Sequence, residues 1–418
     1  MNRHNTEIKD VVFLVALQGL NYIAPLIVFP YLMKTLGAEK FGYIGFSLSI
    51  IQYLMLVVDF GFNFSATKRI AQAKNNDYEL KEIFYSTLLA KIALLAISFL
   101  VLLIIIWGIP KFHMYSQIML IMFIMVIGNT FSFVWLFQGL GKIRTVSIIN
   151  IISKLSILPL TFVFVKNPSD FTKAGLIQSL VYILGSLLTI FFLINGKFIS
   201  GKFEIKKEKI INELKLAYPI FISTTATSIY TSLFIIILGY FSTPVEVGKY
   251  AAAEKIMRGF CFLIFTPISQ AFYPKISIMS ISSPNKALDL TKKILIFVIG
   301  IMIILFILLF FFSSPIMHFL GKDYEGTDVI FKIMSIAPLF IAAGGILGQF
   351  GLLAIGNEND KKNFQKTYFV AAFVALITVF TLVPLYFSIG ATIALLITEF
   401  TVFTGMFWFN KKIIFSNK

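Results

Sequence analysis

Charge is scarce in this chain. Only 13% of its 418 residues are Asp, Glu, Lys or Arg, against about a quarter in a soluble globular protein. Cysteine is scarcer still. The single Cys261 excludes an intrachain disulfide and a cysteine zinc site, and its place in an apolar run marks it as a small buried hydrophobe. The three histidines, His4, His113 and His318, fall in termini or loops without zinc-ligand spacing. A phosphate-cradling glycine loop and a serine elbow are both missing. The letters Asp59-Phe60-Gly61 match a kinase motif, but no glycine-rich or catalytic loop accompanies them. Asn63-Phe64-Ser65 fits a glycosylation pattern but falls on the side expected to be cytoplasmic. No connection exceeds roughly 20 residues, where a small domain needs 50 or more. These absences leave no sign of a Cys/His zinc site, a phosphate-binding loop, a serine hydrolase or a separate soluble catalytic domain.

Apolar surface is what the chain has in excess. Hydrophobic residues make up 58% of it, Phe alone occurs 47 times, and the mean hydropathy is +0.88. One aqueous core cannot hide that much, whereas lipid solvates it. Crossing the hydrocarbon takes roughly 20 helical residues. Runs of this kind are expected at 11–33, 41–64, 83–107, 115–137, 146–165 and 174–194. A second set follows at 216–241, 250–272, 294–312, 330–355, 368–387 and 389–409. The runs are continuous rather than alternating, which selects helices over barrel strands. The first is too long for a signal-peptide core and lacks a small-residue cleavage site, so it reads as a retained helix. The fold class is an all-α integral membrane protein of about twelve helices.

The net charge of +16 is distributed by topology. With the N-terminus cytoplasmic, 24 of the 36 lysines and arginines fall in inside segments, 7 in outside segments and 5 within helices. This is the positive-inside rule, so both termini are expected in the cytoplasm and no nucleic-acid partner is needed. The longest charged connection divides the chain into an N-terminal six-helix bundle (1–195), a basic linker (196–215), a second six-helix bundle (216–410) and a short tail (411–418). A faint repeat supports that division. Ala38-Glu39-Lys40-Phe41-Gly42-Tyr43 opens the second helix, and Val245-Glu246-Val247-Gly248-Lys249-Tyr250 opens the eighth. Six crossings per half give both halves the same orientation.

Ionisable residues inside the membrane cost several kcal/mol unless paired or hydrated, so they are the candidate site. Arg258 lies mid-way into the eighth helix, with Glu254 one turn earlier and Lys255 beside it. The i,i+4 spacing permits a local ion pair. The alternatives are mutual neutralisation and the wall of a hydrated cavity with one excess positive charge. Glu399 in the twelfth helix has no local cation. It is either the partner of a lysine on another helix or a proton-titrating group. Lys91, Lys154 and Lys332 either snorkel toward the interfaces or line a cavity attractive to phosphates. Asp59 closes the second helix. Prolines inside helices remove a backbone hydrogen bond and favour kinks, which makes Pro25, Pro30 and Pro219 the expected hinges.

One family carries several of these residues together. Pro30-Tyr31-Leu32, Leu36-Gly37, Phe41-Gly42, Asp59-Phe60-Gly61-Phe62-Asn63 and Ser65-Ala66-Thr67-Lys68-Arg69-Ile70-Ala71 resemble the start of polysaccharide flippases of the Wzx (O-antigen transporter) type. Ala217-Tyr218-Pro219 and Val247-Gly248-Lys249-Tyr250 with Ala253-Glu254-Lys255-Ile256 are similar to that family's seventh and eighth helices. The resemblance implies a MATE-like fold, two six-helix bundles around a central cavity, and no enzymatic activity. It also implies that the chain flips an undecaprenyl-diphosphate-linked oligosaccharide across the bacterial plasma (inner) membrane for O-antigen, lipopolysaccharide or related polysaccharide biosynthesis. Arg258, Lys255, Lys154, Lys91 and Lys332 would then meet the anionic substrate. Glu254, Glu399 and Asp59 would serve as ion-pair or coupling groups. No cofactor is implied beyond coupling to H+ or Na+, and the implied partners are membrane lipid, a polysaccharide polymerase and a chain-length regulator. The rival readings are a flippase for another lipid-linked precursor, a drug/cation antiporter of the same superfamily, and a membrane glycan polymerase. An antiporter for cations would want an acidic cavity, and a polymerase a long outer loop.

Overall fold

The computed structural model describes residues 2–196, 198–199 and 206–414. Positions 197, 200–205 and 415–418, which include the middle of the expected linker and the end of the expected tail, lie outside the described residues. Among the described residues there is no strand. The helices in chain order begin with α1 (Asn2–Asp59), α2 (Phe62–Gln72), α3 (Asp77–Gly108), α4 (Ser116–Met122) and α5 (Ile124–Thr130). Next come α6 (Val134–Gly139), α7 (Ile143–Leu155), α8 (Ile157–Phe164), α9 (Phe171–Asn195), α10 (Lys207–Phe241) and α11 (Pro244–Ser282). Then follow α12 (Pro284–Phe311), α13 (Ser313–Leu320), α14 (Thr327–Met334), α15 (Ala337–Ile346), a π-helix at Leu347–Ile355, and α16 (Glu358–Ile414).

Every expected apolar run lies in helical structure. Nine helical stretches among the described residues are long and apolar enough to span a bilayer. Two of them, of 49 and 54 residues, exceed a single crossing by a factor of about two. Each contains a reversal. In α1 the helical dihedrals break at Gly37, whose φ of 72° suits a residue without Cβ. Beyond the break the chain folds back, so that the Phe29 and Phe41 rings lie 6.4 Å apart. In α16 the break is Phe387 (φ 47°), and the backbone at Gly390 returns against the Leu382 carbonyl. Both reversals fall where two expected crossings meet.

The prolines lie inside helical stretches. Helical geometry continues through Pro25, Pro30 and Pro219, and the non-helical break in α1 is at Gly37. Proline loses one hydrogen bond but holds φ near the helical value, whereas only a residue free to reach positive φ reverses the chain.

The chain forms two compact units, one of Met1–Ala24 with Tyr43–Ser228 and one of Pro25–Gly42 with Ile229–Lys418. The chain therefore passes from the first unit into the second and back within residues 24–43, and changes unit again within α10. This differs from the expected division at 196–215. Residues 216–228 belong to the first unit because α10 is seated there on the turn between α1 and α2. Phe221 stacks on Phe60 at 4.4 Å, and a Cβ on Gly61 (φ 84°) would lie 2.9 Å from the Ala217 carbonyl oxygen. Arg69 pairs with the buried Glu213, and Lys209 Nζ lies 2.8 Å from Glu82, tying the start of α10 to α2 and α3.

In the second unit the two repeated segments meet. A Cβ on Gly42 would fall 1.9 Å from the Pro244 carbonyl oxygen, and one on Gly248 would fall 1.8 Å from the Ala38 carbonyl oxygen. The glycine of each copy thus lets the other copy's backbone approach. Thr243 accepts the Glu246 N–H at 3.4 Å and Pro244 occupies the first turn, which starts α11 at this contact.

Candidate functional site

Among the described residues, most of the intramembrane charges form two clusters, one in each unit. The cluster in the second unit is built on α11. Tyr250, Glu254 and Arg258 are spaced four apart and share one face of that helix. Ala251, Ala252 and Ala253 are fully buried and let neighbouring helices pack closely around it. Arg258 Nε donates to Glu254 Oε1 at 2.9 Å, and its Nη2 reaches Glu399 Oε1 on α16 at 3.5 Å. Both glutamate side chains are 6% exposed and the arginine 18%. Lys255 points elsewhere, with its Nζ 4.3 Å from the centre of the Phe29 ring, a cation–π contact. The Tyr250 hydroxyl is buried without a hydrogen-bond partner among the described residues.

This arrangement corrects two expectations. Glu399 is paired with an arginine rather than a lysine. The single excess positive charge expected for the Glu254–Lys255–Arg258 stretch is cancelled once Glu399 is added, because two carboxylates face one guanidinium and one ammonium. Both follow from a pairing across 141 residues of sequence, which helical spacing does not reveal.

The polar node in the first unit is built from α1, α3 and α5. Lys91 is 1% exposed and its Nζ lies 3.2 Å from Asp59 Oδ1. It also donates to the Asn129 carbonyl at 3.1 Å, and Asn129 Nδ2 donates to the same Asp59 oxygen at 2.9 Å. Lys91 therefore neither snorkels nor offers a free ammonium, because its charge is spent on Asp59. The Asp59-Phe60-Gly61 segment has a structural task instead. Asp59 neutralises Lys91, while Phe60 (φ 41°) and Gly61 turn the chain into α2.

The other candidates stand apart from both clusters. Lys154, on α7, is exposed. Lys332 is half-buried and pairs with Asp328 one turn earlier at 3.1 Å, which is local neutralisation. Pro25 begins the second unit's share of α1. Pro30 lines an apolar cavity of about 330 Å³ with Leu26, Ile256, Phe260, Phe319 and Leu320. Pro219 is exposed on α10.

Nothing in the sequence pattern marked Asn129, and Tyr250 was marked only as the end of a repeated segment, though a lone Asn or Tyr amid an apolar run is the available signal. Also unforeseen is the polar support of the π-helix. Ser269 bonds Gln349, and the buried Asn410 donates to the Leu347 carbonyl at 3.0 Å. Wider π-helical turns leave carbonyls that need such outside donors. Among the described residues no three His, Cys, Asp or Glu side chains form a metal-binding group.

Comparison with known proteins agrees with these features. The family described as "Polysaccharide biosynthesis protein" matches residues 8–280. A protein of Escherichia coli (strain K12) named "Putative O-antigen transporter" is 33% identical over 97% of this chain and 97% of its own length. A protein of the same name from Shigella dysenteriae is 29% identical over 94% of this chain and 96% of its own. Among solved structures, an inward-facing MATE-family multidrug transporter has a TM-score of 0.71 at 13% identity, covering 94% of both chains. The lipid II flippase MurJ in an inward closed conformation has a TM-score of 0.71 at 18% identity, covering 97% of this chain and 90% of its own. At such identities the two structures speak for the fold, which is the MATE-like one expected. With a family match over more than half its length and a full-length relative one-third identical, this multi-pass membrane protein belongs to the polysaccharide biosynthesis protein family, as a transporter of the Wzx type and not an enzyme.

Proposed function

We propose that the protein flips undecaprenyl-diphosphate-linked oligosaccharide repeat units, of O-antigen or a related surface polysaccharide, from the cytoplasmic to the outer leaflet of the bacterial plasma membrane. The relatives named for O-antigen transport support the cargo class. The observation that carries the reading is Arg258, a guanidinium kept in the apolar interior and oriented by two carboxylates. A diphosphate and a sugar chain cannot shed their water into hydrocarbon unaided. A planar fork of N–H donors replaces that water on phosphate oxygens, while the polyprenyl tail stays in lipid. Alternating exposure of the site to the two sides, with both termini cytoplasmic, completes the cycle. The polymerase and chain-length regulator that use the flipped unit are the partners expected on the outer side. Coupling to H+ or Na+ would supply the driving force.

The test is deletion of the gene in its host, followed by analysis of surface polysaccharide and lipid-linked sugars. Loss of surface glycan with lipid-linked units accumulating on the cytoplasmic side is the expected result, restored by wild type and not by Arg258→Ala at equal protein level. Normal glycan in a host without a second flippase would overturn the proposal. Single units displayed outside but never polymerised would identify a polymerase instead.

A further inference from the structure

The two carboxylates around Arg258 are not equivalent. Glu254 is one turn away on the same helix and moves with Arg258 whatever α11 does. Glu399 comes from α16, its contact is the longer one at 3.5 Å, and it persists only while α11 and α16 keep their present spacing. A guanidinium offers five donors in one plane, and the edge given to Glu399 is the one an incoming anion can take without breaking the local Glu254 pair. We propose that Glu399 is a built-in competitor of the substrate. It occupies the phosphate-binding edge of Arg258 when the site is empty, is displaced by the diphosphate, and takes up one proton as it leaves. This rests on the reading that Arg258 receives the diphosphate.

The proton follows from burial. Glu399 is 5% exposed, and a carboxylate left in such a place without its cation is strongly disfavoured as an anion. Taking a proton from solvent converts it to the neutral acid, and no other bond changes. Among the described residues the charged groups acting on Glu399 are Arg258 and Glu254, with no second cation beside them. From α11 the groups within electrostatic range of the cluster are Tyr250, Glu254, Lys255 and Cys261, and from α16 Glu399 itself. Lys255 is engaged with the Phe29 ring, and the Cys261 thiol faces the Pro338 carbonyl at 4.0 Å. Glu254 is a second acid and repels a free Glu399 carboxylate. The Tyr250 hydroxyl, buried and without a partner among the described residues, is a donor held in reserve one turn before Glu254. The built-in anion also gives the empty transporter a reason to keep a buried arginine. The site stays compensated when no cargo is present, and the cargo must bring more negative charge than one carboxylate to open it.

The experiment uses the full-length purified protein in lipid nanodiscs, with undecaprenyl diphosphate as the probe. Affinity is measured between about pH 6 and pH 8, and proton uptake is followed with an indicator dye in weak buffer. Wild type is expected to take up about one proton per ligand bound, with binding that weakens as pH rises. Glu399→Gln, which keeps the shape and removes the charge, is expected to bind roughly tenfold more tightly at the alkaline end. Its proton uptake falls to that of the ligand's own titration. Glu399→Gln with wild-type affinity and wild-type proton uptake would falsify the competitor role. A folded Glu399→Gln that binds more weakly would overturn it too, showing that Glu399 positions Arg258 for the ligand. Thermal unfolding of each variant separates these outcomes from misfolding, and Glu399→Asp, expected to retain proton uptake, provides a second variant. If instead a folded Arg258→Gln binds undecaprenyl diphosphate as well as wild type, the reading of Arg258 itself fails, whatever Glu399 does.

Discussion

The two charged nodes solve the same physical problem in opposite ways. In the first unit Lys91 meets one carboxylate, Asp59, and Asn129 caps both with its carbonyl and its amide. Charge is balanced one to one, the polar groups satisfy each other, and Lys91 is 1% exposed. In the second unit one guanidinium is shared between two carboxylates, one contact is stretched to 3.5 Å, and a neighbouring hydroxyl has no partner among the described residues. The first node is closed and holds helices together. The second is over-supplied with acceptors and has a contact it can give up, which is what a binding site needs and a structural pair does not.

The largest effect expected is at the closed node. Lys91→Ala leaves the half-buried Asp59 without its cation and should cost about 2–3 kcal/mol, read as a lower unfolding midpoint in detergent. The double variant Lys91→Ala with Asp59→Ala should recover much of that loss. If the single variant is as stable as wild type, the node holds nothing and the contrast collapses.

Next comes Arg258→Lys. An ammonium keeps the charge but cannot serve two carboxylates and a diphosphate as a planar fork. Export measured as surface glycan should fall roughly tenfold, with the unfolding midpoint nearly unchanged. A large stability loss with normal export per folded molecule would make the second node structural like the first.

Asn129→Ala is expected to be milder, at about 1 kcal/mol for one lost hydrogen bond with the Lys91–Asp59 pair retained. It should leave export intact when corrected for protein level.

The smallest effect lies at the start of α10 in the first unit. The hydrogen bond from Lys209 to Glu82 raises the lysine's pKa above its ordinary 10.5. A cation with a raised folded-state pKa lends stability that is complete below the unfolded value and is lost as pH rises through the folded one. The pair therefore has no pH signature near neutrality. Lys209→Ala should shift neither the unfolding midpoint nor export at physiological salt, in contrast to either buried node.

Much of the fold was legible in the residues. The apolar runs predicted the crossings, and the reversals at Gly37 and Phe387 fall between neighbouring runs. The similarity of the segments around Gly42 and Gly248 was legible as well, but not that each glycine accommodates the other copy's backbone. The candidate residues were found because a charge in an apolar run is conspicuous, while their roles were not. Lys91 and Asp59 lie 32 residues apart and Arg258 and Glu399 lie 141 apart, so no helical periodicity links them. Proline identified positions where a hydrogen bond is missing, but the helices run on through Pro25, Pro30 and Pro219 because a missing bond does not by itself change φ and ψ.

By itself the sequence determined the solvent, the class of secondary structure and the family. Hydrocarbon rewards any sufficiently long apolar run and forces the backbone to satisfy itself, so composition and run length suffice for a helical membrane protein. The tertiary structure alone decided which charge neutralises which, where α10 passes from one unit to the other, and which arginine edge is held by a distant carboxylate. Compensation of buried charge acts between particular atoms at a few ångströms, and only the packing of helices far apart in the chain sets those distances.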